Sequence, residues 1–161
     1  MRAAVITASD SGYNGIREDL SGPVLVGMLK DAGYEVTKTV LLPDEREALA
    51  EAMRNIADQG IADLILTTGG TGFSPRDCTP EATKSVIERE VPGIPEAMRS
   101  LSLKITDRAM LSRAAAGIRG QTLIINMPGS PKAVRECLEF ILPALEHGLK
   151  IMLGEDSNCA R

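Results

Sequence analysis

Tryptophan is absent from this chain of 161 residues, and only two Phe and two Tyr are present. The chain therefore lacks the stacking aromatics that a single-stranded nucleic-acid site would use. Its core must rest on Leu, Ile, Val, Ala and Met, which pack by aliphatic interdigitation with Met filling gaps. His147 is the only histidine, so an HExxH or paired-His metal centre is excluded. Its place late in the last helix suits the helix dipole and assigns it no chemistry. The three cysteines, Cys78, Cys137 and Cys159, form no CxxC pair and are odd in number. Neither a disulfide framework nor a Cys-rich zinc site is expected, and a reducing compartment fits better. No apolar run approaches the roughly 18 residues that span a bilayer. The opening Met1-Arg2-Ala3-Ala4-Val5-Ile6 is too short for a signal-peptide core. The expectation is a soluble cytoplasmic protein with no membrane partner. Positive charge is in deficit as well, with a net charge of −4 and a pI near 5.1. That argues against nucleic acid. Any phosphate site must then draw on a few Arg or Lys, helix N-termini or a metal.

The length suits one compact domain, expected over residues 1–153 with a polar tail at 154–161. The apolar run Ala3–Ala8 reads as a buried parallel strand. Residues 9–19 read as a loop. Leu20–Asp31 reads as a helix, with Pro23 in its first turn and Gly33 as its stop. Glu35–Leu42 is rich in β-branched residues and reads as a strand, broken by Pro43. Asp44 is expected to open a helix that Gly60 ends, its acidic first turn complementing the dipole. Asp63–Thr68 is the third strand. After a glycine-rich loop, Thr79 is expected to cap a helix running to about Glu90. A helix is expected around Glu96–Leu103, a strand at Thr122–Met127, and a final helix after Pro128-Gly129-Ser130-Pro131. Strands alternating with helices imply a single-domain α/β sandwich with a mostly parallel sheet. Ligands of such folds sit outside the carboxyl ends of the strands. Those ends carry Ser9-Asp10-Ser11, the Asp44 turn, Gly69–Asp77 and Pro128–Ser130, so the unusual polar clusters share one edge.

The loop Gly69-Gly70-Thr71-Gly72 lacks Cβ atoms where an anion would approach. It is neither a Walker A loop nor GxGxxG, which weighs against a dinucleotide-binding domain. It reads either as a phosphate cradle or as a tight turn. In Pro75-Arg76-Asp77-Cys78-Thr79-Pro80, Arg76 could supply charge to a phosphate and Asp77 could hold Mg²⁺. The plain alternative is an Arg–Asp pair and a helix start. Asp44 reads as a helix cap or as a second metal carboxylate. Asn126, Pro128, Gly129 and Ser130 read as a ligand loop or as a capped helix with Pro in its first turn. Arg113 and Arg119 read as phosphate contacts or as surface arginines. Cys78 reads as a packed residue, since no general base is near it in sequence.

The stretch from Thr67 to Thr83, TTGGTGFSPRDCTPEAT, resembles the signature of the molybdopterin adenylyltransferase family, which includes MogA, MoaB and the G domains of gephyrin-type proteins. The resemblance continues through Val91-Pro92-Gly93, Leu111-Ser112-Arg113, Gly117-Ile118-Arg119-Gly120 and Leu123–Ser130. It implies a Rossmann-like three-layer fold and transfer of AMP from Mg-ATP to the terminal phosphate of molybdopterin, releasing pyrophosphate. It also implies a homotrimer and hand-over to a molybdenum-insertion protein. By motif it assigns Asp77 and Asp44 as catalytic and Mg²⁺-holding residues. Ser9, Gly69, Gly70, Thr71, Gly72, Arg76, Ser112, Asn126, Pro128, Gly129 and Ser130 are assigned to substrate and nucleotide. Cys78 stands where family members often carry an aliphatic residue. A MoaB-type binding protein or scaffold with weak or no catalysis is the alternative that the resemblance leaves open.

Overall fold

The computed structural model describes residues 1–155, so Cys159 and most of the expected polar tail lie outside the described residues. Six strands form one sheet in the order β2-β1-β3-β6-β5-β4. They are β1 (Arg2–Ala8), β2 (Glu35–Leu42), β3 (Leu64–Thr68), β4 (Arg89–Glu90), β5 (Ala116–Arg119) and β6 (Thr122–Met127). β2, β1, β3 and β6 run parallel, while β5 is antiparallel to both β6 and β4.

Side chains alternate across each central strand, and the two sets feed separate cores. Ala3, Val5, Leu64, Leu66, Leu123, Ile125 and Met127 face α2 (Ser21–Asp31), α5 (Gly93–Leu103) and α6 (Pro131–Met152). Ala4, Ile6, Ala8, Ile65 and Ile124 face α3 (Arg46–Asp58) and α4 (Thr79–Val86). This is the three-layer α/β sandwich expected from the alternating pattern. Both faces are covered, which explains why β1, β3 and β6 read as continuous apolar runs. β2 is the exposed edge, and its charges at Glu35 and Lys38 discourage pairing with a further strand.

Several local expectations are corrected. Residues 9–19 contain a one-turn helix, α1 (Asp10–Tyr13), capped by the Ser9 hydroxyl, which accepts from the Gly12 N–H at 3.0 Å. α3 begins at Arg46, because the Asp44 carboxylate bonds elsewhere and leaves the cap to the Glu45 backbone. α4 stops at Val86, and residues 89–90 pair with β5 instead of continuing the helix. Thr79 is the first helical residue; the cap position is Cys78, with no side-chain cap bond. β5 escaped the sequence pattern because its core is Ala and Gly, poor strand formers alone. Gly117 is required there: a Cβ would lie 2.5 Å from the Ile87 Cδ1 and 2.7 Å from the Arg89 carbonyl.

Two polar residues bind the layers together. Asn126 is fully buried. Its carbonyl accepts from the Ala115 N–H (3.1 Å), and its amide donates to the hydroxyls of Thr67 (3.0 Å) and Thr83 (2.7 Å). It thus joins β6, β3, α4 and the approach to β5. At the opposite end of the sheet, the buried Asp63 accepts from the Arg2 backbone N–H (2.8 Å) and from its guanidinium (2.6 Å). Burial pushes the Asp63 carboxyl up, but the bonds and charge of Arg2 outweigh it and hold the carboxyl below its ordinary value. Its stabilising effect is therefore present above the unfolded carboxylate pKa of about 3.9 and is lost as pH falls through the lower folded value. Arg2 is half exposed, which screens the pair. Asp63→Ala is expected to cost about 1–3 kcal/mol at neutral pH in urea unfolding, with the gap to wild type closing at acid pH. Equal gaps at both pH values would contradict the role given to this carboxylate.

Candidate active site at the carboxyl edge of the sheet

β1 connects to β2 on one side and neighbours β3 on the other, so the chain reverses direction of winding between β1 and β3. A crevice opens outside the carboxyl ends at such a reversal. Here the ends lead into Ser9, Asp44, Gly69 and Pro128. Gly69 and Gly70 have φ of 90° and 61°. A Cβ on Gly69 would sit 2.2 Å from the Ala8 carbonyl oxygen, a backbone atom that cannot swing away. The glycine loop is thus pressed onto the end of β1 by a contact that no other residue permits.

Asp10 and Asp44 are locked together reciprocally. The Asp10 N–H donates to Asp44 Oδ2 (2.9 Å), and the Asp44 N–H donates to Asp10 Oδ1 (3.0 Å). Arg76 closes the unit with a two-pronged grip on Asp10, Nε to Oδ2 at 2.9 Å and a terminal nitrogen to Oδ1 at 3.0 Å. The Arg76 bond is the main cause that holds the Asp10 carboxyl below its ordinary value. Asp44 is pushed the other way. Burial raises its carboxyl most, the Asp10 bond opposes this, and the negative charges of Asp10 and Asp77 add to the rise. Asp44 Oδ1 is buried and has no hydrogen-bond partner. It lies 2.9 Å from where a Cβ on Gly70 would stand, and Asp77 Oδ2 lies 2.9 Å from the corresponding point on Gly72. The two carboxylates therefore flank one glycine loop. Asp77 is held by the Ser74 N–H (3.1 Å).

Arg113 holds the other side of this loop. Its guanidinium donates to the Gly72 carbonyl (2.7 Å), the Asp77 carbonyl (2.8 Å) and the Glu81 carboxylate. Its N–H donates to the Thr71 carbonyl (3.0 Å). It is a brace for the loop, a role that sequence reasoning missed. Its neighbour in motif, Arg119, grips Asp58 at 2.8 Å through two nitrogens at the far end of β5, remote from the crevice. Asp19 was missed as well. It accepts from the Thr7 hydroxyl (2.7 Å) and the Gly22 N–H (2.9 Å), and so fixes the wall of the crevice beside β1. The pattern Asp-x-x-Gly ahead of a helix was the available signal.

Two cavities flank the loop. One, of about 190 Å³, is lined by Ser9, Ser11, Arg17, Asp19, Gly69 and Gly129. The other, of about 280 Å³ and mostly apolar, is lined by Thr71, Gly72, Met98, Arg99, Ser112, Pro128 and Cys137, among others. Of the site residues read from sequence, Ser9, Gly69 and Gly129 line the first cavity and Thr71, Gly72, Ser112 and Pro128 the second, so the glycine loop stands between them; Asp77 lines a third, open hollow with Ser74, Cys78 and Arg113, and Asp44 and Gly70 line neither of the first two. Three depart from their expected places. Asn126 is buried with its amide engaged on both ends, so it supports the site without lining it. Ser130 caps α6, accepting from the Ala133 N–H at 3.3 Å. Arg76 is paired with Asp10, not with Asp77, although 56% of its side chain is exposed.

Among the described residues no group of three or more His, Cys, Asp or Glu side chains is arranged to hold a metal. Mg²⁺ does not need such a cage, since it commonly takes one or two carboxylates and fills its shell with water and phosphate oxygens. A buried carboxylate oxygen with no partner, beside a second carboxylate, fits that mode of binding.

The family model for a probable molybdopterin binding domain matches residues 4–147. A molybdopterin adenylyltransferase of Helicobacter pylori (strain J99) is 43% identical over 157 residues, covering 93% of this chain and 86% of the relative. The crystal structure of the molybdopterin biosynthesis enzyme MoaB from Thermus thermophilus has a TM-score of 0.88 and 48% identity, covering 95% of this chain and 96% of that one. A structure of MogA has a TM-score of 0.89 and 35% identity, with 94% and 99% covered. Matched by the family model over residues 4–147, and by a relative and solved structures over more than nine-tenths of its length, the chain belongs to the molybdopterin-binding family of molybdenum-cofactor biosynthesis proteins.

Proposed function

We propose that this chain is a molybdopterin adenylyltransferase: it transfers AMP from ATP to the terminal phosphate of molybdopterin and releases pyrophosphate. The unpartnered Asp44 oxygen beside Asp77, on a glycine loop between two cavities, carries the reading. Two cavities sharing one wall suit a reaction that joins two substrates. A terminal phosphate oxygen of molybdopterin attacks the α-phosphorus of ATP, and the bond from that phosphorus to the bridging oxygen of pyrophosphate breaks. The attacking oxygen is already anionic at neutral pH, so no general base is required. The chain supplies positioning and a place for negative charge, which dominate phosphoryl and nucleotidyl transfer. Gly69–Gly72 let phosphates approach the backbone closely, and Arg113 keeps that loop in place. Asp10 and Arg76 orient Asp44. Asp44 and Asp77 would hold Mg²⁺, which would offset the charge of the converging phosphates and of the leaving pyrophosphate. The chain is further proposed to work in the cytoplasm as a homotrimer that passes its product to a molybdenum-insertion protein. The exposed apolar side chains of Leu103, Ile105, Met110 and Leu111 are suited to subunit contact.

Mixing purified protein with molybdopterin and Mg-ATP, then following pyrophosphate and the mass of the adenylylated pterin, tests the activity directly. Asp77→Asn is expected to lower turnover by about 10²-fold or more with the fold retained. Binding of molybdopterin without an ATP-dependent product would replace the enzyme reading with that of a carrier. Gly69→Ala must move backbone, and loss of both activity and thermal stability is expected by circular dichroism and turnover.

Asp44 offers a pH test. Its folded pKa is raised, so the charged carboxylate disfavours the fold, and stability is lost as pH climbs from the unfolded value through the folded one. Asp44→Asn, without added cation, should be more stable than wild type at pH 7 and lose this advantage at low pH. A variant less stable at pH 7 would show that Asp44 is retained for the fold, not for a ligand.

A further inference from the structure

Thr79 is completely buried, yet its hydroxyl has no partner. Four other buried threonines are engaged. Thr68 donates to the Pro128 carbonyl (2.7 Å), Thr122 donates to the Ala62 carbonyl (2.8 Å), and Thr67 and Thr83 accept from Asn126. Capping does not explain Thr79 either, since the cap position of α4 is Cys78. A valine would fill the same space without stranding a hydroxyl. The location is distinctive. The Thr79 N–H donates to the Gly70 carbonyl at 3.1 Å, which anchors the residue beneath the glycine loop. Its Oγ1 lies 2.4 Å from the position a Cβ on Gly70 would occupy, and Asp44 Oδ1 lies 2.9 Å from that same point. Two buried, uncommitted oxygens, one able to donate and one only to accept when ionised, thus converge under Gly70.

We propose that Thr79 is a positioning residue for the cation site: its hydroxyl orients the free oxygen of Asp44 and thereby sets the affinity for a divalent cation. This rests on the reading of Asp44 as a cation ligand. The second Asp44 oxygen is already held by the Asp10 N–H, so a hydrogen bond from the Thr79 hydroxyl, unmade in the cation-free chain, would fix both oxygens of the carboxylate once a cation binds. Groups that hold a metal-binding carboxylate from behind commonly change metal affinity by about 10–100-fold when removed.

The test is Mn²⁺ uptake by the full chain, followed by electron paramagnetic resonance of free Mn²⁺, in wild type, Thr79→Val, Thr79→Ser and Asp44→Asn. The melting temperature without cation is measured in parallel. Thr79→Val is expected to weaken Mn²⁺ binding about 10-fold or more, Thr79→Ser to bind nearly as wild type, and Asp44→Asn to lose binding. Without cation, Thr79→Val should melt at or above the wild-type temperature. Thr79→Val binding Mn²⁺ like wild type while Asp44→Asn does not would overturn the role of Thr79 and leave the cation site standing. Asp44→Asn binding like wild type, or wild type binding none, would overturn the cation reading and the proposal with it. A lower melting temperature in Thr79→Val without cation, restored in Thr79→Ser, would make the hydroxyl structural and also overturn it. Should Thr79→Val not fold, Thr79→Cys provides the same comparison with a weaker donor.

Discussion

The reciprocal bond between Asp10 and Asp44 is the contact on which the site depends. Each carboxylate accepts the other's backbone N–H, so the segments leaving β1 and β2 are fixed relative to each other. Negative charge on both partners would drive them apart, and Arg76 offsets this by gripping Asp10 through two nitrogens. Asp10 becomes a neutralised pair, and Asp44 keeps one unused oxygen in a half-buried place. The same arginine draws the Pro75–Cys78 segment, and with it Asp77, to the same point. A charge distribution uncomfortable for the isolated chain is what a substrate-borne cation would relieve.

The glycine loop is held between two tight constraints. Gly69 presses on the Ala8 carbonyl from one side, and Arg113 draws the Gly72 and Asp77 carbonyls from the other. Beneath them, Asn126 ties β6 and β3 to α4 with its whole amide. These contacts make the loop a rigid partition between two cavities. Rigidity matters because nucleotidyl transfer between two anions gains mainly from positioning and from fixed dipoles.

Much of the fold was legible because apolar periodicity and length separate buried strands from amphipathic helices. β2 agrees residue for residue with its pattern, and the α2 and α6 starts carry their Pro and Ser signals. The antiparallel β4–β5 edge was not legible. Ala116 and Gly117 lack strand propensity, and the glycine at 117 is needed only because Ile87 and Arg89 leave no room for a side chain there once the strands pair. The site was legible as a set of residue types along one edge, and its glycines and aspartates stand around one loop in space. The partners within the set were not. Arg76 is adjacent to Asp77 in sequence but pairs with Asp10, which is 66 residues away.

Sequence alone determined the sandwich class, the family and the edge on which the candidate site residues gather. Each of these follows from local pattern: period, punctuation by Gly and Pro, and a run of motif residues. Only the tertiary structure decided which charge meets which. It put Asn126 in the core, Arg119 at the far end of the sheet and Ser130 on a helix cap, and it left Thr79 and one Asp44 oxygen without partners. The reason is physical. A side chain's donors, charge and reach are written in its chemistry, but desolvation and pairing depend on neighbours tens of residues away, and those are fixed only when the layers close.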